Sequence, residues 1–204
     1  MVVLVGEVSD GLLAGLGRAP NVSVARARAT EAGYPAADEA APARPGWEAG
    51  AAALREAARR RSTYVIVPDD PLADVAGQWR AMWDVPGGAA GAAGAAGAAG
   101  FEQSAADVLA AWRAKQFDLP DYYLVVAAIT GAGPDLYLGP LRAARPRRVA
   151  VVGSADGQAA QAARVLDTLS SLEYGPWWPP LDELLDTSRR FYAGGLAEPQ
   201  PAPA

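Results

Sequence analysis

The sequence predicts an α/β fold: an open, mostly parallel, Rossmann-like sheet covered by helices on both faces. Two observations carry this. Short, nearly continuous apolar runs recur along the chain, each closed by Gly, Pro or Asp, and stretches with helical periodicity separate them. A strand that alternates apolar and polar residues has one face in water, whereas a run without alternation has both faces covered.

The runs are Val2 to Val5, Tyr64 to Val67, Tyr122 to Ala128 and Val149 to Val152. A fifth, Asn21 to Ala27, alternates Val22 and Val24 with polar neighbours and reads as a weaker edge strand. The helical stretches are Gly11 to Leu16, Trp47 to Arg61, Pro71 to Trp83, Phe101 to Phe117, Gln158 to Leu172 and Leu181 to Tyr192. Parallel neighbours need covering crossover connections, and the β-α alternation supplies them.

The 204 residues are 51% hydrophobic and 20% charged, enough apolar material for a core, and are read as one domain over 1–197. Pro86 to Gly100, with glycine at every third position from Gly88 and alanine between, reads as a flexible tether spanning about 20 Å r.m.s.. Thr30 to Pro45 reads as an Ala/Pro/Glu loop and 198–204 as a loose tail.

Two echoes stand out. Val2-Val3-Leu4-Val5-Gly6 followed by Ser9-Asp10-Gly11 matches Val149-Ala150-Val151-Val152-Gly153 followed by Ala155-Asp156-Gly157, so Asp10 and Asp156 are expected to cap the helices they open. Asp74-Val75 with Trp79-Arg80-Ala81 recurs 33 positions later as Asp107-Val108 with Trp112-Arg113-Ala114. Each of those helices should bury a tryptophan stripe, with Arg80 and Arg113 placed to lie over a ring.

Composition excludes much chemistry. There is no histidine and no cysteine, which removes Ser-His-Asp and Cys-His catalysis, imidazole or thiolate metal sites and disulfides. The only lysine, Lys115, follows no glycine, so there is no phosphate-binding G-x-x-x-x-G-K-[ST] loop. A formal charge of -5 disfavours nucleic acid, and no apolar run is long enough for a membrane. The N-terminal segment has no basic region ahead of its apolar run, so a cytoplasmic location is the default expectation.

Ligands of open α/β sheets bind beyond the carboxyl ends of the strands. Those ends carry Gly6, Asp69, Asp70, Gly153 and Ser154, with Asp10 and Asp156 opening the next helices. Such an acidic rim competes with a pyrophosphate but suits Mg²⁺, for which Asp10, Asp69 and Asp70 are the candidate ligands. The competing reading makes these residues ordinary caps and turns, with Pro71 at the first helical position. Arg142, Arg145, Arg147 and Arg148 are candidates for gripping an anion or an acidic partner. Trp177 and Trp178 either clamp the last helix to the sheet or present an interface. Two functions follow: a non-enzymatic scaffold or protein-interaction module, with a protein partner or a second copy, and a Mg²⁺-dependent enzyme acting on a nucleotide or phosphate ligand. The sequence names no cofactor.

Overall fold

A computed structural model describes residues 1–27, 46–83, 92–126 and 135–197. Five strands form one sheet: β1 (Val2–Gly6), β2 (Val22–Val24), β3 (Tyr64–Val67), β4 (Tyr122–Val126) and β5 (Val149–Val152). Every pairing is parallel, in the order β2-β3-β1-β4-β5. The helices are α1 (Asp10–Leu16), α2 (Gly46–Ala57), α3 (Ala73–Trp83), α4 (Ala92–Arg113), α5 (Arg142–Ala144), α6 (Gln158–Ser170) and α7 (Leu181–Ala197). A π-helical turn, Tyr137–Leu141, leads into α5. The fold is thus the open α/β arrangement that the apolar runs predict, with the alternating segment at the edge.

Strand order decides which face each helix covers. Only the step from β1 to β2 runs toward the β2 edge, and the later steps run toward β5. Right-handed crossovers moving in opposite directions put their helices on opposite faces. Accordingly α1 lies on one face with α6, packed on Val2, Leu4, Ile66, Leu124 and Val152. The other face, built on Val3, Val5, Val65, Val67, Tyr123 and Val125, carries α2, α3, α7 and the π turn. The two echoed helices therefore pack on each other: a Cβ on Gly11 would lie 1.5 Å from the Gln158 side chain, and one on Gly15 would lie 3.3 Å from Ala162.

Over 92–100 the structure differs from the expected tether, because these residues form the first turns of α4. Glycine at every third position makes a ridge of missing side chains along one helix face. That ridge lets α4 pack directly on α3: a Cβ on Gly97 would sit 3.1 Å from the Met82 backbone nitrogen. Beyond the ridge Phe101 meets Trp79 at 5.7 Å between ring centres, and Trp83 and Tyr192 close the same aromatic cluster. Contact with α3 offsets the roughly 0.5–1 kcal/mol that each mid-helix glycine costs. Residues 86–91, the 30–45 loop, Ala127 and Ala128, and the 198–204 tail lie outside the described residues. Among the described residues no helix is long and apolar enough to cross a membrane.

Candidate functional site

The departure of α1 to one face and α3 to the other opens a cleft beyond the carboxyl ends of β1 and β3. Its volume is about 690 Å³. Its floor is made by Asp70 and Tyr137, and its rim includes Gly6, Glu7, Asp10, Arg26, Asp69 and Arg80.

Asp70 follows β3 in the turn Pro68-Asp69-Asp70-Pro71. Its Oδ1 accepts the Leu72 N–H at 3.1 Å, which closes the turn into α3. The same oxygen accepts from the Tyr123 hydroxyl at 3.2 Å, and Oδ2 accepts from the Tyr137 hydroxyl. Only 6% of Asp70 is exposed. Desolvation disfavours its charged form and raises the carboxyl to about 6, against the opposing pull of those three hydrogen bonds. Burial, and the nearby carboxylate, push the Tyr123 and Tyr137 phenols well above their usual value, so both stay protonated and donate. Glycine admits α2 to this turn: a Cβ on Gly50 would lie 2.2 Å from the Pro71 nitrogen.

Tyr137 is brought to Asp70 by the π turn, and the turn has a local cause. In a regular helix residue 140 would donate to the Leu136 carbonyl, but Pro140 has no N–H. The Leu141 N–H takes that carbonyl instead, at 3.1 Å, one residue further along. Asp135 starts the segment, its Oδ1 accepting the N–H of Tyr137 at 2.8 Å and of Leu138 at 3.3 Å. Its other oxygen pairs with Arg80 at 3.4 Å, tying the π turn to α3 across the cleft.

The rim is held by further contacts. Arg26 pairs with Asp10, and Asp69 accepts the Ala27 N–H at 3.2 Å, so the segment after β2 is fastened to the ends of α1 and β3. Gly6 has a φ of +100°, and a Cβ there would lie 2.2 Å from the Val126 carbonyl oxygen. Only glycine lets the chain turn at this point while β1 and β4 stay paired.

Of the residues the sequence singles out, Gly6, Asp10, Asp69 and Asp70 line the cleft. Gly153, Ser154 and Asp156 lie beyond β5 and outside its lining. Neither aspartate caps its helix. Ser9 caps α1, its hydroxyl accepting the Leu12 N–H at 3.1 Å, and Gly157, with a φ of +83°, occupies the cap position of α6 without a side-chain cap. The turn after β5 is braced instead by Gln161, which accepts from Ala155 at 2.8 Å and donates to the Gly153 carbonyl at 3.2 Å. Asp10, Asp69 and Asp70 do not converge as a Mg²⁺ cage: one is engaged by Arg26, one by a backbone amide and one by two phenols. Among the described residues no group of three or more acidic side chains could hold a metal ion.

The chain matches no family model, no curated protein and no solved structure.

Arg148 and Trp178 turn inward. Arg148 is 2% exposed and donates to the carbonyls of Pro176, Asp121 and Gly175 at 2.7, 3.0 and 2.6 Å. Its guanidinium also lies against the rings of Trp177, Tyr122 and Tyr174. Arg145 donates to the Trp177 carbonyl at 2.6 Å, Arg147 pairs with Glu173 at 3.3 Å, and Arg142 is exposed. Trp178 is buried, with its indole N–H on the Pro120 carbonyl at 2.7 Å, and serves as the clamp for α7. Arg80 and Arg113 pair with Asp135 and Asp182, and among the described residues neither is seen over a ring.

Sequence reasoning missed Tyr123, Tyr137, Asp135, Arg26 and Arg80 as members of the cleft system. The one available signal is Pro140, a helix-breaking residue inside an otherwise helical Leu136-to-Ala144 stretch.

Proposed function

We propose that the protein binds a small polar molecule, bearing hydroxyl or amine groups, in the cleft beyond β1 and β3. The observation that carries this reading is Asp70: an ionisable carboxyl kept in the protein interior at the floor of a cleft, with two phenols on it. Burying a carboxylate is unfavourable unless it is compensated, and here compensation is incomplete, since the carboxyl stays raised to about 6. A carboxyl perturbed by desolvation and aimed into a cleft is a candidate functional group, because catalytic and binding sites are where burial is used to shift protonation. At that value Asp70 exchanges its proton near neutral pH, and Tyr137 can relay it toward a bound hydroxyl or amine.

The rim sets the ligand class. Glu7, Asp10 and Asp69 face one Arg26, while Arg80 is already engaged by Asp135, so neutral or cationic groups are favoured over a pyrophosphate. The test is a thermal-shift panel of sugars, amino sugars, polyamines, nucleosides and nucleotides, with and without Mg²⁺. A ligand at about a hundred times its dissociation constant adds roughly 2.7 kcal/mol, or about 5–10 °C for a chain this size. The shift should vanish in Tyr137→Phe. A flat panel, or a shift that Tyr137→Phe and Asp70→Asn both leave intact, overturns the reading.

A further inference from the structure

The opposite edge of the sheet carries a second feature, independent of the cleft. Tyr122 opens β4 and Arg148 immediately precedes β5, so the loop they hold, between α6 and α7, lies on the amino edge. On it Tyr174 is 86% exposed and Trp177 52%, two of the four large hydrophobic residues most open to solvent among those described. The Arg148 guanidinium packs against both rings and binds the backbone on either side of Pro176. Rings held this way present flat apolar surface without losing further side-chain freedom on contact, which is the condition for an anchoring residue. Arg142 and Arg147 are both exposed, and Arg147 pairs with Glu173, the chain neighbour of Tyr174 and itself 70% exposed.

We propose that this arginine and aromatic face docks an extended acidic segment of a partner protein, its carboxylates on Arg142 and Arg147 and its apolar residues flat on Trp177 and Tyr174. Charge selects this occupant. On a chain of net charge -5, Arg142 and Arg147 are exposed on this edge and, among the described residues, Glu173 alone forms an ion pair with them, so a carboxylate-bearing segment complements the positive charge that remains. A single-stranded nucleic acid would use the same rings and guanidiniums. Its regularly spaced phosphates, however, would meet the repulsion of the acidic remainder, and so few exposed guanidiniums neutralise only a few of them.

The experiment is fluorescence anisotropy of the full chain with two labelled probes, a short peptide of alternating glutamate and proline and an oligodeoxythymidylate of similar length, and light scattering of the protein alone. The peptide should bind, and Trp177→Ala and Arg142→Glu should each weaken it at least tenfold, with thermal unfolding unchanged in Arg142→Glu, whose exposed side chain lies outside the core. Absence of peptide binding, affinity indifferent to both substitutions, tighter binding of the oligonucleotide, or self-association abolished by Trp177→Ala would each overturn the proposal.

Discussion

Replacing Asp70 by asparagine tests the buried carboxyl through stability. The folded protein raises this group from 3.8 to about 6, a difference of about 3 kcal/mol between its two protonation states. Because the folded state binds the proton more tightly than the unfolded chain, the stabilisation is complete below about pH 3.8 and is lost as pH rises through about 6. Integrated from pH 4.5 to pH 8, that is about 2 kcal/mol of stability that the wild type loses and Asp70→Asn does not. Asparagine carries its own constant penalty, since its amide must find partners where a carboxylate accepted from two phenols. That penalty does not depend on pH, and the other carboxylates are common to both proteins. Urea unfolding of the two at pH 4.5 and pH 8 therefore isolates the effect: the substitution should look about 2 kcal/mol more favourable at pH 8 than at pH 4.5. A difference that stays constant within about 0.5 kcal/mol would show that Asp70 titrates normally and remove the physical basis for the cleft assignment.

Three further outcomes follow from the packing. Gly6→Ala, which forces a Cβ against the Val126 carbonyl at a φ of +100°, should cost at least about 2 kcal/mol by urea unfolding. Arg148→Met leaves three carbonyls without their donor and should cost about 3 kcal/mol, and Arg148→Lys should not restore it, because an ammonium cannot reproduce the fork or its ring contacts. Gly97→Leu should push α4 off α3 and cost about 1–3 kcal/mol, with a shift of tryptophan fluorescence as the Trp79 cluster opens, whereas a free tether at this position would tolerate the change.

The strands were legible because a sheet covered on both faces leaves an unbroken apolar signature, and the one alternating segment did fall at the edge. Their order was not legible, since nothing in Val2 to Val5 records that β3 and not β2 lies beside it; that depends on crossovers and helix packing. The Gly-Ala repeat misled for a definite reason: a helix face made of absent side chains has no hydrophobic periodicity, and its fit to α3 exists only in three dimensions. Half of the candidate site was visible as the acidic residues that end β1 and β3. Its chemistry was hidden, because Tyr123 reads as one more apolar strand residue and Tyr137 is aimed by a turn whose cause, the missing N–H of Pro140, matters only once Leu136 and Leu141 are helical. In the sequence the four arginines from 142 to 148 are equivalent candidates for an anion or an acidic partner. Arg148 faces inward because Gly175 and Pro176 expose carbonyls that no strand or helix satisfies, and a buried guanidinium supplies three bonds at once.

One titration shows directly whether Asp70 is held out of water: its carboxyl carbon followed by ¹³C NMR, assigned by its disappearance in Asp70→Asn. The resonance should move with a midpoint near 6. A midpoint at the ordinary value of about 3.8 would mean that the carboxyl under Tyr123 and Tyr137 is not held out of water, and the cleft would lose its distinguishing chemistry.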